Sequence, residues 1–183
     1  MKLESIQKVH DGKYLKKYEL TYLNKAGREK KYEMVSRKEI SGPEDLGKKV
    51  SGISIIAYMD DKMLLLHEFR MAINKEIYNL CAGMLEDGET IEECAARELY
   101  EETGLRVKRF IDILPPAFSA VGFSDVQTYI VFLEAEGQIG DHTSENEEIK
   151  AAFYTREQVS EMLKTEEFSA RSQIAAYFFT KNH

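Results

Sequence analysis

The sequence has no tryptophan, two cysteines and three prolines in 183 residues. Cys81 and Cys94 form no CxxC pair, and at this chain size reduced, buried thiols are expected in preference to a disulfide staple. Long hydrophobic runs are also missing. The longest, Ile53 to Met59, is interrupted by Ser54 and has the length of a strand, not of a membrane span. Met1-Lys2-Leu3-Glu4-Ser5 lacks the apolar centre of a signal peptide, so a cytoplasmic protein is expected. Positive charge is in deficit: 25 Lys and Arg against 32 Asp and Glu leave a net −7. That argues against nucleic-acid and anionic-membrane binders, which need a basic face. An anionic substrate would then need metal cations to supply the missing charge.

What remains is an ordinary globular composition, 43% apolar and 31% charged, at the size of one domain or one domain with a modest extension. Tyr18, Leu20 and Tyr22 alternate with polar neighbours, Asn24-Lys25-Ala26-Gly27 supplies a turn, and Tyr32 and Met34 resume the alternation. This predicts an N-terminal hairpin region over 1–45. Ser36 to Ser51, with Gly42-Pro43 and Gly47, reads as a linker, and the main domain as 46–183. Ile53–Tyr58 and Met63–Phe69 flank Asp60-Asp61-Lys62 as a second hairpin. Val107–Leu114 and Thr128–Leu133 read as strands separated by Pro115-Pro116 and a Gly/Ser loop. A short strand at Ala151–Tyr154 and helices around Arg156–Leu163 and Ser169–Phe179 close the chain. Few helices mixed with strands give an α+β class, or an α/β/α sandwich on a mixed β-sheet.

Thr90–Thr103 is the clearest helix. Thr90 and Glu93 form a capping-box pattern, and Gly104 stands where a helix stop is expected. With Glu98 at zero on a wheel, Ile91 falls at about 20°, Glu102 at about 40°, Ala95 at about 60°, Leu99 at about 100° and Cys94 at about −40°. Glu93, Ala96, Tyr100 and Thr103 form the expected solvent face. Two carboxylates one turn apart thus lie inside the apolar stripe, and Glu101 stands beside them. Like charges so placed repel, and burying them unpaired is costly. Arg97 can pair with Glu101 but cannot neutralise three acids. A hard divalent cation, Mg²⁺ or Mn²⁺, suits such oxygen ligands; the alternative is that both acids reach water at the margin of the stripe.

Read from Gly83, the order is Gly83, five residues, Glu89, seven residues, then Arg97-Glu98-Leu99-Tyr100-Glu101-Glu102-Thr103-Gly104-Leu105. This resembles the Nudix box of the Nudix hydrolases, matched at all nine specified positions over 23 residues. The resemblance implies an α/β/α sandwich that uses a divalent metal to hydrolyse a nucleoside diphosphate linked to another moiety. It makes Glu98, Glu102 and the Ala82 carbonyl metal ligands. Glu101 assists them, Arg97 orients the carboxylates, and Glu89 is a more distant acid. His67-Glu68-Phe69-Arg70 and Leu80-Cys81-Ala82-Gly83 resemble the ADP-ribose and nucleotide-sugar pyrophosphatases, which implies Arg70 as a phosphate clamp; a surface ion pair at a strand end is the other reading.

The acidic stretch Ser144-Glu145-Asn146-Glu147-Glu148 resembles the loop that supplies the catalytic glutamate in those enzymes. Glu145 would be the base and Glu147 an extra metal ligand, with Glu148 a competitor for either part; a weak calcium loop is the alternative. The chain departs from that subgroup at Val121, where a proline is common, at Asn79, where Glu is common, and at Cys81, where Pro is common. These departures leave the metal chemistry intact and weaken the substrate assignment. His10, His67, His142 and His183 lack ligand spacing and read as surface or structural. The expected reaction yields a nucleoside monophosphate and a phosphorylated product. The alternatives are a (d)NTP or dinucleotide pyrophosphohydrolase and a non-catalytic ADP-ribose-binding protein. By resemblance the N-terminal region pairs two subunits into a homodimer.

Overall fold

The computed structural model describes residues 1–140 and 148–181. The chain divides into two compact units, Met1–Gly52 with Pro116–Tyr129, and Ile53–Pro115 with Ile130–His183.

In the first unit, β1 (Lys2–Asp11), β2 (Lys16–Leu23) and β3 (Glu29–Ser36) form an antiparallel sheet. The expected hairpin is β2–β3, in register Tyr18 to Met34 and Leu20 to Tyr32. Its turn is built by Asn24, whose side-chain oxygen accepts from Ala26 and Arg28 N–H groups at 2.8 and 3.1 Å. β1 adds a third strand. Only Leu3 and Ile6 of β1 pack against the small core of Tyr18, Leu20, Met34 and Ile40, so its alternation is too sparse to announce it. The Tyr18 hydroxyl accepts from the Ile40 N–H at 2.9 Å, tying the start of the following loop to that core.

The larger sheet runs β10–β5–β4–β9–β8, with β6 paired to β5 and β7 to β4. Its strands are β4 (Val50–Met59), β5 (Lys62–Arg70), β6 (Lys75–Asn79), β7 (Cys81–Met84), β8 (Arg106–Phe118), β9 (Gln127–Glu136) and β10 (Ile149–Tyr154). β8 continues through Pro115-Pro116, where the sequence suggests a break. It is the outer strand of the order, and an edge tolerates residues that cannot donate to a ladder. The central strands are buried on both faces. Ile56, Met63 and Leu65 pack against Val159, Ala176 and Phe179 of α2 (Arg156–Thr165) and α3 (Ala170–Lys181). The alternate residues Ile55, Ala57, Leu64 and Leu66 are equally buried, which leaves that face to α1 (Ile91–Thr103). Both cysteines are free and buried. Among the described residues no helix is long and apolar enough to cross a membrane.

Candidate active site

The setting of α1 begins with its ends. Thr90 Oγ1 accepts from the Glu93 N–H at 3.2 Å, and the Glu93 carboxylate accepts from the Thr90 N–H at 2.9 Å. Gly104 closes the helix at φ 75°, a left-handed conformation that glycine adopts without strain, and its N–H donates to the Tyr100 carbonyl. Between these ends Cys94, Ala95 and Leu99 are buried. Thr103, expected to face solvent, is fully buried as well. Its hydroxyl donates to the Leu99 carbonyl, and its own carbonyl accepts from the Gly140 N–H at 3.0 Å. The buried stripe is therefore turned toward Leu99 and Thr103. That carries Glu102 deeper and leaves Glu98 nearer the margin.

β7 passes directly beside these acids. The Ala82 N–H donates to Glu102 Oε2 at 3.2 Å. A Cβ at position 83 would overlap the Glu98 carboxyl, so any other residue there would push that carboxyl out of its place beside the strand. Arg97 gathers the other acids. Its Nε and NH2 donate to the two oxygens of Glu89 at 2.8 and 2.9 Å, and NH1 reaches Glu98 at 2.8 Å and Glu101 at 3.2 Å. NH2 also donates to the Met84 carbonyl at 3.0 Å, binding the strand exit to the helix. Glu101 is exposed, whereas Glu89 and Glu98 are largely covered.

The electrostatic consequences differ sharply. The Arg97 fork, aided by the Glu86 N–H, pulls Glu89 down to about 2. Burial raises Glu98 above the ordinary carboxylate range, with the Arg97 hydrogen bond opposing it. Burial pushes Glu102 up to about 8, against weaker help from the Cys81 thiol and the Ala82 N–H. Burial, then the Glu102 carboxylate, drives the neighbouring Cys81 thiol well above its usual value. Among the described residues Glu102 hydrogen-bonds to no basic side chain, so it is the acid that Arg97 leaves over. Its donor set is right for a hard cation: carboxylate oxygens one helical turn apart, with main chain of β7 alongside. Among the described residues no three His, Cys, Asp or Glu side chains form a group able to hold an ion.

Arg70 ends β5 with its side chain 55% exposed and its NH1 3.5 Å from Glu68 Oε1. Glu68 itself is buried and accepts from Asn79 Nδ2 at 2.6 Å. Sequence reasoning passed over both Glu68 and Asn79 as site residues; the signal for Glu68 was a carboxylate within the largely apolar strand β5, whereas Asn79 showed only as a departure from the subgroup. It also passed over Arg171 of α3, whose pKa is lowered by desolvation and then by the nearby Arg70 cation. Glu145 and Glu147 lie outside the described residues. Gly140 and Glu148, on either side of that stretch, are placed: the first on the C-terminal end of α1, the second through its carbonyl, which accepts from the Phe69 N–H at 3.0 Å. His67 packs against the Tyr78 ring at 4.7 Å, with its Nδ1 3.9 Å from Glu76, and the described His10 is exposed. Val121 is exposed in the first unit.

Comparison with known proteins bears on this arrangement. An ADP-ribose pyrophosphatase of Escherichia coli (strain K12) is 31% identical over 132 residues, covering 67% of this chain and 63% of the relative. An ADP-sugar pyrophosphatase of Mus musculus is 28% identical over 137 residues, covering 70% and 59%. The chain thus spans less than two thirds of the length of these relatives. A solved structure described as an ADP compounds hydrolase superposes with a TM-score of 0.77 over 99% of this chain and 93% of that one, at 17% identity, which speaks to the fold. The profile of the NUDIX domain matches residues 48–177, taking in β7, α1 and every acid described above, and the chain belongs to the NUDIX domain family.

Proposed function

We propose that the chain is a divalent-cation-dependent pyrophosphohydrolase that cleaves the diphosphate of ADP-ribose or a related ADP-sugar, releasing AMP and a sugar phosphate. Glu98, Glu102 and the Ala82 carbonyl would hold Mg²⁺ or Mn²⁺, with Glu147 as a further ligand. Bound there, the cation would offset the phosphate charge that a chain of net −7 otherwise repels and would polarise the phosphoryl group. The observation that carries this reading is Glu102, a carboxyl held near 8 by burial one turn from Glu98, in a helix whose arginine is already engaged by three other acids.

The chain's own residues divide the remaining work. Arg97 holds Glu98 in place while keeping Glu89 and Glu101 off it. Arg70 receives a phosphate oxygen, as its exposure at the end of β5 permits. Glu145 takes the proton as water adds across the P–O–P bridge: one phosphorus gains the water oxygen, and the bridging oxygen departs on the other phosphate. General-base assistance of this kind contributes roughly 10²–10⁴-fold. The placed neighbours of the acidic stretch, Gly140 on α1 and Glu148 beside Phe69, suit that assignment. The names of the relatives support the choice of ADP-ribose and ADP-sugars. Residues 1–45 are proposed, by resemblance, to pair two subunits.

A panel of ADP-ribose, sugar nucleotides, dinucleoside polyphosphates and dNTPs, assayed with Mg²⁺ and with Mn²⁺, tests the reading. AMP release from ADP-ribose or an ADP-sugar, lost in Glu98→Gln and Glu102→Gln, is expected. Full activity of both glutamine variants would reject the site, and preferential turnover of dNTPs would reject the substrate.

A further inference from the structure

Beside Arg70 lies a carboxylate that the proposed reaction does not use. Glu68 is 6% exposed, on the face of β5 that it shares with the buried Leu64 and Leu66 and, at the strand end, with Arg70. Its Oε1 accepts from Asn79 Nδ2 at 2.6 Å across the β5–β6 pair and stands 3.5 Å from Arg70 NH1. Asn79 is itself fixed. Its Oδ1 accepts from Ser169 Oγ at 2.7 Å, Ser169 Oγ accepts from the Ser172 N–H at 3.3 Å, and the Ser172 hydroxyl donates to the Tyr78 carbonyl at 2.8 Å. A chain of hydrogen bonds rooted at the start of α3 therefore ends on Glu68, and the next group outward is a guanidinium more than half in solvent.

As a purely structural residue Glu68 is a poor choice. Its burial forfeits hydration, and its charge adds to the negative surroundings of Glu102 and Cys81, though only as a minor cause in each. Glutamine would accept the Asn79 hydrogen bond equally well and would carry neither penalty. What glutamine lacks is the charge that holds an arginine. Arg70 needs holding, because Arg171 repels it and an exposed guanidinium without a counter-charge samples many rotamers. We infer that Glu68 is a positioning residue: backed by Asn79, it holds the Arg70 guanidinium in the orientation that receives the diphosphate of the substrate. This rests on the reading of Arg70 as a phosphate clamp.

The test compares Glu68→Gln, Arg70→Ala and the double variant, each with Mg²⁺ present. Calorimetry with α,β-methylene-ADP, whose diphosphate cannot be hydrolysed, gives Kd. Steady-state assays with the best substrate of the panel above give KM and kcat. Glu68→Gln keeps the Asn79 hydrogen bond, so its melting temperature should not fall. Its Kd and KM should rise about tenfold with little change in kcat, as expected when one oriented, charge-assisted contact is loosened. In the Arg70→Ala background the same change should add nothing. If Arg70→Ala weakens binding but Glu68→Gln does not, or if the two effects multiply, the positioning role is overturned while the clamp stands. If Arg70→Ala leaves Kd unchanged, the clamp reading fails and takes this inference with it.

Discussion

Replacing Glu102 by glutamine should make the metal-free protein more stable at pH 8, and this is the most direct test of the buried carboxyl. Glutamine keeps the shape and can accept the Ala82 N–H, but it cannot ionise. In the wild type, burial holds Glu102 near 8, whereas the unfolded chain ionises near 4.5. The sign follows from linkage. A folded pKa above the unfolded one means that the folded state keeps a proton the unfolded state releases. Stability is therefore intact below about pH 4.5 and is lost progressively as pH rises toward 8. At about 1.36 kcal/mol per pH unit, the penalty accumulated by pH 8 is on the order of 3–5 kcal/mol. For a chain of this size 1 kcal/mol moves Tm by about 2–4 °C, so Glu102→Gln should melt about 6–20 °C higher than wild type in EDTA at pH 8. Near pH 4.5 the two proteins should converge.

The same experiment with cation present reverses the order of effects. Mg²⁺ or Mn²⁺ should raise the wild-type Tm at pH 8, because binding to the folded state alone is stabilising, and should leave Glu102→Gln nearly unmoved. Differential scanning fluorimetry across pH 5 to 9, with and without EDTA, reads all four conditions. Equal melting of the two proteins in EDTA at pH 8 would show that Glu102 is solvated, not buried. Equal gains from the cation would show that Glu102 does not hold it.

Three smaller perturbations probe the frame around those acids. Gly83→Ala places a methyl group where the Glu98 carboxyl sits, so kcat should fall by about a hundredfold or more while the fold persists, as checked by circular dichroism. Thr90→Ala removes the cap that sets the helix start and should lower stability by about 1 kcal/mol in urea titrations. Glu89 is held down near 2 by Arg97, so it contributes stability above the unfolded value of about 4.5 that is lost as pH falls from there toward 2. Glu89→Gln should lack that acid limb in thermal melts taken between pH 5 and 3.

Much of the site is local in sequence, and local features are the ones a single chain displays. The Thr90–Glu93 box and the Gly104 stop are formed as the spacing predicts, because a helix cap is decided within four residues. Both hairpins follow from turn residues, Asn24 to Gly27 and Asp60-Asp61. What could not be read depends on partners distant in sequence. Nothing in Pro115-Pro116 indicates that the strand holding them is an outer one, and nothing local places 116–129 with the N-terminal strands. Glu68 is a further example: its strand is buried on both faces, so no alternation marks which way its side chain points, and its significance lies in Asn79 and Arg70.

Thr103 shows how a small misreading of this kind propagates into chemistry. Placed on the wheel by residue type, it belongs with Glu93, Ala96 and Tyr100 on the wet side. It is buried because its hydroxyl can turn back to the Leu99 carbonyl, and a threonine so satisfied behaves in a core as a small apolar residue. Including it rotates the dry face away from Glu98 and onto Glu102. The two acids then stop being equivalent. Glu98 stays within reach of Arg97 and is only partly relieved of its charge problem, whereas Glu102 sinks out of that reach and is driven to about 8. The burial of Thr103 at the end of the helix thus goes with the deeper setting of Glu102, and makes Glu102, not Glu98, the residue whose amide variant should gain most stability when metal is withheld.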